Sequence, residues 1–592
     1  MNRRRFLVYA AAVPIVGGGL SLESASGFAP RPADAYATMA DGRPLYARYR
    51  LTCDRVVSGT GPRYSSPFLS ADLRGEPGRR FTNFSGDLSG RWIGALAASS
   101  ATYNDPFPAL RPFVESALTL QHAEGFFGRS FNAGDPSDDD FALLWGNGRL
   151  LVGLAEYYSL SHDPAVLQAA CRLGDFLVKI SPQFNSRQME EAFGAAHFAT
   201  SYICWTQQTE GLAELYRLTK EARYGEVCGD IARRISRRGG DHVHGFLSSV
   251  RGTLNLYKVT GDDEYLQMVL RHWKDVTESG DILVTGGVPE AWSPKRMRTE
   301  GCAECDWLRL NLDLHAVTGR EEFLRTAEDV LFNEASMNQF WTGDFGHGLL
   351  GEPGHAECAN GSQTGTGEPE IVIVRAWWCC TLHGLRAFPA VQEQVFGKSG
   401  ERLVYQIPMD GWFESDGIRL VARSWLATRG TVEIKVERAL GTNRLEIRQP
   451  HWAGAILLSR NGRTVPGLTV SDLASNDVIT IQYPVKMRVS PLDATGQRKT
   501  IHVGPWLLGA SAADEQVYFN ELHRENILLE DSIEQAESAN TSVFAVPMAA
   551  RRCAVLPAEY PGQKSTVELR AVSEQTARPP SRWVLSFLTR AG

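Results

Sequence analysis

The sequence predicts a mainly α then β protein, a closed toroid of paired helices followed by a C-terminal β-sandwich. Three observations predict it. Segments 154–161, 212–219, 254–260 and 312–318 repeat one another, each closing a helical pattern before a short polar turn and a second amphipathic stretch. Their last residues, Ser161, Thr219, Thr260 and Thr318, stand 58, 41 and 58 residues apart, the length of one or two helical hairpins with their loops. Glycine-rich connections at 236–253 and 279–301 suit rim loops around a central pocket, which favours a closed toroid over an open solenoid. Past residue 395 the hydrophobic period drops from helical to two.

Taken in chain order, residues 1–35 read as an address rather than structure. Arg3, Arg4 and Arg5 precede Phe6 and an apolar run to Leu20 that is interrupted by Pro14 and three glycines. Such a run is too short and too weak to span a bilayer, which needs about 20 apolar residues. The pattern resembles a twin-arginine export signal, with small residues at Ala33 and Ala35, or Ala35 and Ala37, for cleavage; the alternative is a basic apolar anchor that is never cut. A periplasmic or secreted protein with no membrane span in its mature form is expected. Residues 36–100 are ambiguous between a strand region and the first barrel helix. From 101 to 395 the helical hairpins continue, and Leu324, Ala327, Val330, Leu331 and Ala335 show the single buried stripe each arm presents. Segments 431–437, 444–448 and 477–482 alternate apolar and polar residues between turn formers, so 396–592 is expected to form antiparallel sandwich sheets, with 540–592 alternating only weakly.

Composition narrows the function. The chain has 592 residues, 43% of them hydrophobic, enough for two or three full-sized cores. A net charge of -7, with no cationic block past the first few residues, excludes nucleic acid as a partner and favours a neutral or mildly polar ligand. Ten cysteines in an exported chain would suggest disulfides. Cys302, Cys305, Cys379 and Cys380 instead fall in two close pairs.

Those pairs carry the chemistry. Glu300, Cys302 and Cys305 open one helical segment, and Trp377, Trp378, Cys379, Cys380 and His383 lie at the end of the helical half. Zinc takes four thiolate, imidazole or carboxylate ligands in a tetrahedron, and two pairs from separate loops can supply them. Adjacent cysteines cannot wrap a metal as the Cys-x-x-Cys spacing does, so one of Cys379 and Cys380 is free for a second task.

These residues, with Gly286, Gly287 and Glu290 just upstream, resemble the zinc-thiolate motifs of the β-L-arabinofuranosidase family of glycoside hydrolases, family 127 and its relatives. The likeness runs from about residue 100 to 520. It implies an (α/α)6 barrel followed by β-sandwich domains, an oligo- or polysaccharide substrate, and a retaining mechanism. By motif, Cys379 is implied as nucleophile, Glu290 as acid/base, and Glu300, Cys302, Cys379 and Cys380 as zinc ligands. His242 matches a pocket histidine, whereas Arg149 and Trp205 stand where relatives carry others. A thiol with a usual pKa near 8.5 needs a metal or a helix N-terminus to become the reactive thiolate, and Glu290 beside Trp292 is placed for partial desolvation.

Alternatives stay open at this point. Cys305 in place of Glu300 would give an all-cysteine structural zinc site. Trp378 with Trp377 reads as a sugar-stacking platform or as packing under the rim. His244 and His383 read as substrate contacts or as hydrogen-bonded structural residues, and the polar run from Thr206 to Glu210 as a pocket stripe or a solvated helix. A polysaccharide lyase with His242 or His244 as base, or a glycan-binding protein stapled by zinc, would share the architecture.

Overall fold

The structure, a computed structural model, describes residues 44–589, except for 59–63, 77–80, 195–200, 237–241, 293–297, 341, 351–354, 359–375, 400–401, 416, 442, 493–495, 497, 512–526, 536–550, 558–564 and 575–580. The export-signal expectation for residues 1–35 falls outside that range. Among the described residues no helix is long and apolar enough to cross a membrane.

Twelve helices of eight or more residues are described: α1 (Pro44–Val57), α2 (Asp87–Tyr103), α3 (Leu110–Leu118), α4 (Asp138–Ser161), α5 (Pro164–Phe184), α6 (Gln208–Thr219), α7 (Ala222–Ala232), α8 (Val243–Thr260), α9 (Asp263–Glu278), α10 (Gly301–Thr318), α11 (Glu321–Asp329) and α12 (Trp378–Val395). The sequence repeat is the corner between an inner and an outer helix. After α4, α6, α8 and α10 comes one left-handed residue, His162, Lys220, Gly261 and Gly319 respectively. The hydroxyl just before each, on Ser161, Thr219, Thr260 or Thr318, accepts the amide two residues on at 3.1–3.3 Å. A Ser or Thr followed by a residue that tolerates positive φ therefore turns the chain back within three residues.

The ring closes. Helix α2 packs on α4, α4 on α6, α6 on α8, α8 on α10, α10 on α12, and α12 returns to α2. Helices α1, α3, α5, α7, α9 and α11 lie outside, against α12, α2, α4, α6, α8 and α10. This is the (α/α)6 barrel, and residues 44–100, ambiguous in sequence, supply α1 and most of the inner helix α2. Inner helices are buried on every face, as in α4, where all but one residue from Asp140 to Tyr157 is buried. The polar run on α6 belongs to this packing: Gln207, Gln208, Thr209 and Glu210 are all buried, bonding neighbouring helices rather than solvent.

From Phe396 onward the described elements are strands, apart from two short helical turns, Leu426–Arg429 and Val572–Glu574. A six-stranded sheet holds Gly411–Ser415, Ile418–Trp425, Thr431–Ala439, Val478–Gln482, Leu457–Arg460 and Arg463–Val465 in that spatial order. A four-stranded and a ten-stranded sheet complete this half. Pairing is antiparallel except where Arg402–Tyr405 lies beside Arg444–Ile447 and Ile527–Gln535 beside Phe587–Thr589. The weakly alternating C-terminal segment thus adds strands to the ten-stranded sheet. That sheet also takes in Leu349–Leu350 and His355–Cys358 from the barrel's loop region. Asp410 accepts the amides of Leu45 and Tyr46 at 2.7 and 3.0 Å, so the strand half caps α1.

Candidate active site

Two neighbouring inner helices begin at one rim of the barrel. Glu300 precedes α10 and Trp377 precedes α12, both in extended conformation. Both starts are tied to a single stretch of chain, Gly301 N donating to Gly346 O and Trp377 N to Phe345 O, each at 2.8 Å. Gly301 is required by proximity, since a Cβ there would stand 3.0 Å from Cys380 Cβ. Cys302, Cys379 and Cys380 therefore meet in the first turns of two helices, where unpaired amides and the dipole favour anions.

The donor atoms of Glu300, Cys302, Cys379 and Cys380 all lie within 4.8 Å of one another. Cys380 Sγ is 3.8 Å from Cys302 Sγ and 3.9 Å from Cys379 Sγ. Two sulfurs each about 2.3 Å from a tetrahedral zinc stand roughly 3.8 Å apart, whereas a disulfide needs about 2.05 Å. Glu300 Oε2 is buried without a hydrogen bond, 3.4 Å from His242 Nε2. Residues, spacing and a carboxylate oxygen without a hydrogen bond fit a single metal ion. Cys305, a turn further along α10, is buried outside this cluster, and burial pushes its thiol well up.

Electrostatics separate the three thiols. Burial raises Cys379, but hydrogen bonds from Cys302 and Cys380 and the charge on Arg91 outweigh it and hold Cys379 well below the usual thiol range. Cys302 and Cys380 go up, chiefly through burial. Burial also opposes ionisation of Glu300, yet His242, His244 and His347 keep its carboxyl below the usual range.

Backbone pairing sets the opposite wall. His242 bridges Ala291 and Pro289 bridges Thr299, while Val243 N donates to Glu290 O and Glu290 N to Arg298 O. Glu290, His242 and Glu300 are thereby held side by side, with Glu290 buried. Both Glu290 oxygens accept from Arg298, one of them at 2.5 Å. His347 Nε2 is 3.8 Å from Glu290 Oε1, and its ligand atom joins those of Glu290 and Glu300 within 4.8 Å.

Of the other residues singled out from sequence, both ring nitrogens of His244 and Nδ1 of His383 are bonded within the protein, while His383 Nε2 is buried without a hydrogen bond. Arg91 reaches His383 Nδ1 at 2.7 Å and His244 Nε2 at 2.9 Å; Asp306 takes His244 Nδ1 at 2.7 Å and lies 3.5 Å from His383 Nε2. Trp378 is half-buried at the start of α12, and Trp377 packs edge-on against Phe81. Arg149 donates to Gln207, Glu210 and Ser248, and Trp205 bonds Asn185. Sequence reasoning missed Arg91, Trp145, Asp306, Arg298 and His347. Trp145 packs on both His242 and His244, with ring centres 5.2 and 5.4 Å away. Asp87 and Arg91, an i, i+4 ion pair inside an otherwise apolar and small-residue helix, carried a readable signal.

The profile of the β-L-arabinofuranosidase, glycoside hydrolase family 127 catalytic domain, matches residues 78–393. A family 127 β-arabinofuranosidase structure superposes with a TM-score of 0.66 at 16% identity, over 94% of this chain and 95% of that one. A family 127 β-L-arabinofuranosidase from Geobacillus stearothermophilus T6 gives 0.67 at 14% identity, over 94% and 98%. A third structure, described as a glycoside hydrolase, gives 0.65 at 15% identity, over 88% and 94%. No curated protein matches the chain in sequence. At these identities the superpositions show the fold, and the profile, which spans more than half of the chain, shows the family. The chain belongs to the β-L-arabinofuranosidase family of glycoside hydrolases, family 127, and is a glycoside hydrolase acting on carbohydrate.

Proposed function

We propose that the protein is a retaining hydrolase of a terminal glycosidic bond, a β-L-arabinofuranoside by its family, with zinc held by Glu300, Cys302, Cys379 and Cys380. Cys379 is the nucleophile and Glu290 the acid/base. One observation carries the assignment: of the three converging thiols only Cys379 keeps surface, 8% exposed against 0% for Cys302 and Cys380. Zinc, when bound, supplies the positive charge that keeps the cysteines deprotonated at neutral pH.

Cys379 Sγ attacks the anomeric carbon, the carbon–sulfur bond forming as the glycosidic carbon–oxygen bond breaks, and Glu290 gives its proton to the departing oxygen. The Glu290 carboxylate then takes a proton from water, whose oxygen displaces the sulfur, and two inversions retain the anomer. Arg298 occupies both oxygens of Glu290, so donation in the first half requires that fork to withdraw. His242, packed between Trp145 and Glu300, and Trp378 are assigned to the sugar. His244 and His383 are assigned to positioning. The N-terminal segment is assigned to export by the twin-arginine route, which carries a folded protein with its thiolates already metallated.

The test is Glu290→Gln. This variant should lose most activity on substrates with poor leaving groups and far less on nitrophenyl glycosides, which need little protonation. Brief exposure to an activated substrate should add one glycosyl unit to the peptide holding Cys379. An adduct on Glu300 or Glu304, an inverted anomer, or an ultraviolet-absorbing unsaturated product from a lyase would each defeat the reading.

A further inference from the structure

We infer that Arg91 is the positioning residue of the thiolate centre, anchoring Cys302 as a fixed ligand and locking two neutral histidines, so that the adjacent Cys379 is left as the movable sulfur. The inference rests on the proposed function for the role of Cys379, but its geometry stands by itself. Arg91 Nε donates to Asp87 Oδ1 at 2.7 Å, one turn back on α2. The same oxygen accepts from Trp145 Nε1 at 3.1 Å, which pins the carboxylate and with it the guanidinium. Nη1 is 3.6 Å from Cys302 Sγ and 2.7 Å from His383 Nδ1, and Nη2 is 2.9 Å from His244 Nε2. The guanidinium is thus engaged along all three of its nitrogens, in a side chain only 4% exposed.

Two consequences follow from chemistry alone. A guanidinium only donates, so His383 Nδ1 and His244 Nε2 must be bare acceptors. Their protons then sit on His383 Nε2 and His244 Nδ1, both facing Asp306, at 3.5 and 2.7 Å. Neither imidazole keeps a bare nitrogen to accept a proton, and His383 Nε2 is buried without a hydrogen bond. Secondly, three thiolates and a carboxylate around a divalent ion leave two negative charges in a buried site, and such charge must be offset. Among the described residues Arg91 is the cation that hydrogen-bonds a sulfur of the cluster, and it reaches Cys302 rather than Cys379. An N–H donated to a ligating sulfur fixes its lone pairs and tempers its release.

The experiment compares wild-type protein with Arg91→Lys, Arg91→Met and the pair Asp87→Asn with Arg91→Met, which removes both buried charges and so avoids stranding Asp87. Cobalt-substituted protein reads the thiolate environment, release of metal to a chelator reads the anchoring, and nitrogen-15 shifts read the histidine tautomers. Expected is an Nε2–H tautomer at His383 and an Nδ1–H tautomer at His244 in the wild type, with both lost in the paired variant. Loss of the N–H donor should shift the sulfur-to-cobalt band and speed metal release about 10–100-fold, with kcat falling and KM little changed, and Lys should recover part of each. An unchanged band and release rate in the paired variant, or the opposite tautomers in the wild type, overturns the inference. A glycosyl adduct away from Cys379 would defeat the proposed function while leaving these readings of Arg91 intact.

Discussion

Glu300 and Cys305 compete for one place in the proposed zinc shell, and the geometry separates them by a single turn of α10. Glu300 caps the start of that helix with an unbonded oxygen among the three sulfurs, while Cys305 lies a turn deeper and outside the cluster. Cys305→Ala should therefore keep full zinc content and activity, at a stability cost of about 1 kcal/mol for the lost sulfur. Glu300→Gln should weaken zinc binding by roughly 100-fold or more, since even partners outside the ligand shell are worth 10–100-fold; metal analysis after dialysis checks both. The reverse outcome would move the site to the all-thiolate arrangement. Cys302, Cys379, Cys380 and Glu300 were legible because thiolates in two short pairs have few other reasons to exist. Arg91, Asp306 and Arg298 were not, because single charged residues gain meaning only when the fold brings them within reach of the thiolates, the histidines or Glu290.

Helices α2 and α4 approach so closely that glycines form their contact. A Cβ added at Gly153 would fall 2.2 Å from Gly90 O, and one at Gly90 would fall 2.4 Å from Leu150 Cα. Both obstacles are backbone, so the helices themselves must part. Gly153→Ala should cost about 3 kcal/mol, read as a lowered urea midpoint, because a core cannot absorb a methyl group against main chain. It should also loosen zinc, since Gly90 adjoins Arg91 in the displaced helix. The repeat corners and the change of period were visible in sequence, since a hydroxyl, a left-handed residue and alternation are local signals. Helix α2 was not: it is buried nearly all round and rich in Gly, Ala and Ser, so no amphipathic stripe marks it. The strands past 540 were weakly marked because their pairings reach far along the chain, as between Trp506–Ser511 and Ser565–Ala571.

The helical and strand halves are joined by a charged fastener rather than by apolar contact alone. Arg448, just past the strand Arg444–Ile447, reaches back to the outer helix α11. There it donates to both oxygens of Glu328 at 2.8 Å and to Glu321 at 2.5–3.0 Å. Its Nη1 also donates to Gln406 O at 2.9 Å, so the guanidinium is fixed from the strand side as well. Glu328 is fully buried and Arg448 is only 8% exposed, so water cannot replace the pair if one member is lost. Arg448→Met should therefore cost about 3–5 kcal/mol, because it strands a buried carboxylate. Glu321, half-exposed at 54%, adds little of that. Adding Glu328→Gln to Arg448→Met removes the stranded charge and should recover much of the loss, which a double-mutant cycle would register as a large coupling. Because the fastener spans the two halves, the single variant should also split thermal unfolding into two steps, with the barrel retaining the proposed zinc through the first. One cooperative transition with additive losses would mean that apolar contacts elsewhere, and not Arg448, make the two halves unfold together.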